Sequence, residues 1–196
     1  MFIKEEYYAF KKEEGFASCL SHVLKKEPVG NKIIRYFRMS QFIKNKIIKR
    51  IFERFYYSYI DKYGIELHPN TKIGKGLYLG HPFGITVNPR AVLGEHVCLH
   101  KGVTIGMENR GINKGAPVIG NCVWIGINSM IFGNIKIGDD VLISPNSVVN
   151  FSVPSHSVVF GNPAVIKSKY NAVDGYISKK TFMKYFGETN EKDIDC

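Results

Sequence analysis

The sequence predicts a mainly β fold, a parallel β-helix wound from six-residue units and preceded by a short α-helical segment. Two interleaved residue rows and two breaks in their spacing carry that prediction. From Leu67 onward an aliphatic side chain recurs every sixth position, as Leu67, Ile73 and Leu79, then Val87, Leu93, Leu99 and Ile105. The row resumes with Ile119, Ile125, Ile131, Ile137, Ile143 and Val149. A second row of small or aliphatic residues follows four places later, from Thr71 and Leu77 through Val97 and Val103 to Ser147 and Val153. Phe83 is the one large residue in it. A period of six fits neither an α-helical face nor a single strand face. It fits short strands that form the flat sides of a coil, each aliphatic row stacking inward on the next coil. Gly follows the first-row residue at Gly74, Gly80, Gly94, Gly106, Gly120, Gly126 and Gly138, where the chain bends between sides.

The register breaks twice. Two extra residues separate Leu79 from Val87, and a longer insertion, MENRGINKGAP, separates Ile105 from Ile119. Loops thrown from a solenoid tend to lie on its binding face. The longer loop carries Glu108, Arg110 and Lys114 and is expected to cover a site or reach a neighbouring subunit.

Three segments follow: a helical one over 1–63, the β-helix over 64–168 and an appendage over 169–196. Residues 31–63 read as helix, with Ile34, Phe37, Phe42, Ile47, Ile51, Phe55, Tyr59 and Ile60 spaced mostly three to five apart. This stripe is expected to cap the open end of the first coil. Lys44, Lys46, Lys49, Arg50 and Arg54 lie among these apolar residues. The net charge of +10 concentrates here: nine bases less two acids over 30–63 give +7, whereas over 1–29 five Lys cancel five Glu. A basic, aromatic-rich face suits an anionic membrane surface or anionic glycan. No recognised nucleic-acid motif accompanies it, so nucleic acid is not expected as a partner. In the appendage, Tyr170, Tyr176, Phe182 and Phe186 are available as anchors.

The first residues mix acids and bases without an apolar core, and no run of about 18 apolar residues occurs. A cytoplasmic protein is expected, peripheral at most to the inner face of the membrane. The four cysteines, Cys19, Cys98, Cys122 and Cys196, have no metal-ligand spacing and read as buried or incidental thiols.

Of the six histidines (His22, His68, His81, His96, His100 and His156), His81 has the most distinctive setting. It lies in GHPFG, immediately before the two-residue break. Neutral imidazole suits removal of an alcohol proton during acyl transfer. A carboxylate would hold its tautomer and stabilise the imidazolium. Glu66, fifteen residues earlier, is the candidate, since a coil of about 18 residues returns the chain near its start.

The stretch GIELHPNTKIGKGLYLGHPFGITV resembles the start of the serine acetyltransferase β-helix, within the hexapeptide-repeat acyltransferase superfamily. Glu66 of ELHP and His81 of GHPFG fall where that family has the Asp of D-I-H-P and the His of D-H-A-T-G. The resemblance continues through VTIG (Val103–Gly106), VWIG (Val123–Gly126) and GNPA (Gly161–Ala164), covering about 64–168. It implies a left-handed β-helix, a His81–Glu66 catalytic dyad and acetyl-CoA as donor, with no metal. It further implies a homotrimer whose CoA lies between subunits, near Gly106, Gly126, Ser144, Asn162, Pro163 and Lys167.

Two departures bear on the acceptor. Gly80 stands where the family has an Asp before its catalytic His, and Lys114, Gly115, Ala116 and Pro117 replace its D-R-H-P. Those are the groups expected to grip an amino acid. The acceptor expected from this is a sugar hydroxyl in capsule or lipopolysaccharide synthesis. Serine O-acetylation in cysteine biosynthesis is the alternative, and a non-catalytic assembly module a second one. The segment before the β-helix is shorter than the family's helical domain, so a simple trimer is expected. A zinc enzyme of the γ-carbonic anhydrase type would need His81, His96 and His100 to converge, and strand alternation argues against that.

Overall fold

A computed structural model describes residues 27–178 and Met183. His22, Cys19, Cys196, Phe182 and Phe186 lie outside the described residues, as do the opening residues. Each of the first four coils contributes one short strand to each of three sheets, and the last reaches the second sheet only through a bridge from Val153 to Ile137. The first sheet stacks β1 (Glu66–Leu67), β4 (Thr86–Val87), β7 (Thr104–Gly106), β10 (Met130–Phe132) and β13 (Val148–Val149). The second stacks β2 (Lys72–Ile73), β5 (Val92–Leu93), β8 (Val118–Ile119) and β11 (Lys136–Ile137). The third stacks β3 (Tyr78–Gly80), β6 (Cys98–His100), β9 (Val123–Ile125), β12 (Val141–Ile143), β14 (Ser157–Gly161) and β15 (Ala164–Ser168). All pairs are parallel except β14–β15, a hairpin that ends the solenoid.

The six-residue row is the core. Leu99 pairs in register with Leu79, Ile125 with Leu99, and Ile143 with Ile125, each stacked inward. Apart from Ile73, which is half-buried, the row is buried. The second row is buried as well, with one correction. Phe83 is exposed, its ring set edge-on to Tyr63 at 4.9 Å, and Ile85 is fully buried in its place. The two extra residues precede Ile85, so they push Phe83 outward without disturbing the row. Two of the three buried hydroxyls in this row find a backbone partner, Ser129 Oγ and Ser147 Oγ donating to the Ser144 carbonyl at 2.8 and 2.7 Å, while that of Thr71 has none.

Where a continuous helix over 31–63 is expected, two form, α1 (Val29–Phe42) and α2 (Lys46–Lys62). Asn45 divides them: its backbone is extended, and its side chain accepts from the Ile47 and Ile48 amides at 3.0 and 3.2 Å. That N-cap starts a new helix. Ile33, Phe37, Phe52, Tyr56 and Ile60 join Leu67 and Leu79 in one core, so the pair caps the first coil. The cap also satisfies backbone. A terminal coil presents carbonyls with no further strand to pair them. Here Tyr56 hydroxyl donates to Leu67 O, Gln41 Nε2 to Pro69 O at 2.8 Å, and Arg38 to Ile73 O at 2.8 Å and to Gly74 O. At Gly30, α1 approaches so closely that a Cβ would lie 2.6 Å from Leu79 O.

At the other end, residues 169–178 cross the outer face of the third sheet. Ala172, Val173 and Ile177 pack with Cys98, Cys122 and Leu142. Asp140, fully buried, accepts from the Ala172 and Val173 amides at 3.1 Å each and meets His156 Nδ1 at 2.7 Å. Tyr170 and Tyr176 are exposed, the first packing against His156 and the second against Trp124.

Candidate active site

Every coil turns from the third sheet to the first through one left-handed residue. Gly84 (φ 61), Gly102 (φ 70), Asn128 (φ 57) and Asn146 (φ 59) occupy that corner in successive coils. Gly102 N donates to Phe83 O, and Asn128 N to Lys101 O, both at 2.9 Å. The first coil has a further left-handed residue, His81 (φ 51). Its carbonyl accepts from Phe83 N at 2.7 Å, closing a tight three-residue turn. The two-residue insertion therefore presents His81 on an exposed bend at the end of β3. A non-glycine side chain in this region of backbone space is held against local preference, and such positions concentrate at functional sites.

His96 (φ 56) and His156 (φ 57) belong to a different corner, between the second and third sheets, where Cys122 (φ 52) and Asp140 (φ 52) occupy the same place. Their backbone role is to turn the coil. His68 Nδ1 accepts from the Asn70 amide at 3.1 Å within its own turn.

Glu66 opens β1, exposed, one rung from the bend that carries His81; its amide donates to Ile85 O at 2.8 Å. No hydrogen bond or ion pair joins its carboxylate to His81 among the described residues. The backbone ties the start of β1 to the bend, Gly84 N donating to Tyr63 O at 3.0 Å.

His100, which the sequence offered only as a possible zinc ligand, lies beside this bend. It pairs in register with Gly80, and its ring lies directly over that glycine: a Cβ at 80 would sit 2.5 Å from its Nδ1. Trp124 packs against the ring at 4.6 Å and Tyr78 sits edge-on at 6.0 Å. Burial pushes its pKa down, and the neighbouring His81 adds to the fall. Its Nε2 is buried with no hydrogen-bond partner. Alternation along the strands sets these two histidines apart, but the reversed bend at His81 makes them electrostatic neighbours. The available signal was the Gly80–His100 match, since a bare glycine opposite a large ring invites the ring to cover it.

The third sheet ends in a column of aligned positions. Gly80 pairs with His100, Gly126 aligns next, then Ser144 and Phe160. At about 4.8 Å per coil, the column runs roughly 19 Å from the bend at His81 to the terminal hairpin. Gly126 is packed tightly, a Cβ there falling 2.5 Å from Pro145 N. Gly106, at the end of β7, is open: its nearest neighbour would be Phe132 Cβ at 3.5 Å. Asn162 and Pro163 form the exposed turn between β14 and β15, and Lys167 is exposed on β15 opposite Val158. The candidate residues thus divide between the column (Gly126, Ser144), the first sheet (Gly106) and the hairpin (Asn162, Pro163, Lys167). Among the described residues no group of three or more His, Cys, Asp or Glu is placed to hold a metal ion. Cys98 and Cys122 are buried free thiols, both pushed up to about 12 by burial.

Residues 116–150 match the family described as bacterial transferase hexapeptide (six repeats). The serine acetyltransferase of Staphylococcus aureus (strain Mu50 / ATCC 700699) is 41% identical over 119 residues, covering 61% of this chain and 54% of that protein. Among solved structures, a serine acetyltransferase in complex with CoA superposes with a TM-score of 0.60 at 30% identity, over 72% of this chain and 58% of that one. The Neisseria gonorrhoeae serine acetyltransferase in complex with serine gives 0.59 at 33%, over 70% and 56%. Over its β-helix the chain is serine acetyltransferase-like and carries the hexapeptide repeat of bacterial transferases.

That likeness corrects the expected acceptor. The sugar hydroxyl rested on Gly80 and on Lys114–Pro117, where expected grips on an amino acid are missing. Missing groups remove one way of holding serine; they do not build a site for a sugar. The relatives sharing 41% of residues are serine acetyltransferases, and the sugar reading falls with that finding. The chain spans about half the length of the curated relatives it matches. Among the described residues, no helix is long and apolar enough to cross a membrane.

Proposed function

We propose that this chain transfers the acetyl group of acetyl-CoA to the hydroxyl of serine, with His81 as general base. The observation that carries the reading is the extra left-handed bend, which exposes an imidazole at the head of the Gly80–Phe160 column. The serine Oγ attacks the thioester carbonyl while His81 takes the hydroxyl proton. The new C–O bond forms as the C–S bond breaks, and the imidazolium returns its proton to the departing CoA sulfur. A base near neutral pKa contributes about 10²–10⁴-fold to such a step.

Glu66 supports the imidazolium from the adjacent rung. Its carboxylate makes no hydrogen bond to His81 among the described residues, so it acts through its field. The donor's extended arm is read along the column, past Gly126 and Ser144, toward Asn162, Pro163 and Lys167. Gly106 leaves room on the neighbouring sheet, and Lys167 supplies a cation for a phosphate. A homotrimer with sites between subunits fits this division, since Gly106 and the column lie on different faces.

Turnover of acetyl-CoA with L-serine, followed by release of the CoA thiol, tests the proposal. His81→Asn keeps a residue that tolerates the left-handed bend and removes the base, so kcat is expected to fall about 10²–10⁴-fold with little change in melting temperature. Glu66→Gln is expected to fall less. Undiminished turnover in His81→Asn would overturn the mechanism; absence of serine turnover in the wild-type protein would overturn the acceptor.

A further inference from the structure

α2 carries two apolar rows: the core buries one and meets the other where Phe55 stacks on Tyr36 at 5.9 Å. Phe52, Tyr56 and Ile60 face inward and are buried on the first coil. A second row, Ile47, Ile51 and Phe55, climbs the helix one turn at a time on another face, 74%, 48% and 44% exposed. Phe42, at the end of α1, is exposed as well. Lys44, Lys46, Arg50 and Arg54 are exposed around this row. Lys49, by contrast, lies within 3.7 Å of Glu53. The segment 30–63 has nine bases and two acids, a net +7.

We propose that this face of α2 docks on an anionic lipid surface, lying in its interface with the Ile47–Ile51–Phe55 row inserted. Apolar side chains at one-turn spacing, flanked by Arg and Lys, gain from the acyl boundary and from anionic headgroups together. A soluble polyanion would satisfy Arg50 and Arg54 but would leave the apolar row in water. A second copy of the same face would cover the row but would bring two +7 segments together, with few acids to offset them. Only a surface both apolar and anionic matches both features. The helix is not long and apolar enough to span, which leaves it on the surface.

The full chain is sedimented with vesicles of phosphatidylcholine alone and with phosphatidylglycerol mixed in. Binding is expected at least about tenfold stronger on the anionic vesicles and weakened by salt. Ile47→Ser/Ile51→Ser and Arg50→Gln/Arg54→Gln should each weaken it about tenfold. These side chains are exposed, so circular dichroism and melting should match wild type. Equal binding to both vesicle types overturns the proposal. So does an effect of the Arg pair without the Ile pair, which indicates a soluble polyanion. Concentration-dependent self-association abolished by Ile47→Ser/Ile51→Ser, with no vesicle binding, overturns it in favour of a second copy.

Discussion

His100 lays its imidazole across Gly80, so closely that a Cβ at position 80 would stand 2.5 Å from the ring. The two are register partners on β3 and β6, and the residue after Gly80 is His81. The glycine is thus a matter of space, with the ring filling what any side chain would need.

Gly80→Ala is expected to displace the ring and destabilise the fold by about 1–3 kcal/mol, the ordinary cost of overpacking. His100→Ala in the same chain should recover much of that loss. Urea denaturation of the two single variants and the double variant gives the coupling, expected above about 0.5 kcal/mol. Strict additivity would mean the ring does not occupy this space.

The same ring predicts a pH dependence. Burial, helped by His81, lowers the His100 pKa in the folded state below its usual value of 6.5. Below that value the unfolded chain binds more protons than the folded one, so stability rises with pH through this window. The contribution is therefore complete above about pH 6.5 and is lost as pH falls toward the lowered folded value. Urea midpoints measured from about pH 8 to about pH 5 should decline for wild type and decline less for His100→Gln. Parallel curves for the two proteins would contradict this.

Asp140 pins the segment 169–178 by accepting from two backbone amides and meeting His156. Asp140→Asn keeps the size and tolerates the left-handed bend, but it trades a charged acceptor for an amide. A loss of about 1–3 kcal/mol is expected. Trp124 is the single tryptophan and packs against Tyr176 at 4.7 Å, so its fluorescence reports the docking. The variant's emission should shift to the red, and cleavage after Lys169 should quicken. Unchanged emission would show that the apolar contacts of Ala172, Val173 and Ile177 suffice.

Much of the fold was legible in the residue pattern because a solenoid is nearly one-dimensional. Each coil touches its neighbours, so the six-residue row and its breaks state which side chains point inward before any coordinates exist. The exposed bend at His81 was legible too, as a histidine beside a two-residue break. Phe83 was misplaced because an insertion can be absorbed before or after a row position, and spacing alone does not say which. The helix break at Asn45 was missed where apolar spacing ran on across it, though an Asn before a basic, apolar run is an N-cap signal.

By itself the sequence determined the coil, the inward rows and the corner where an imidazole is exposed, since all three follow from local periodicity and its interruptions. Only the tertiary structure decided what crosses between coils. It laid His100 over Gly80, brought Asp140 to the amides of Ala172 and Val173, and turned Arg38, Gln41 and Tyr56 onto the carbonyls of the first coil. Those contacts join residues that share no repeat. They depend on which side chain has room and which backbone group lacks a partner, and that becomes definite only when the coils are stacked.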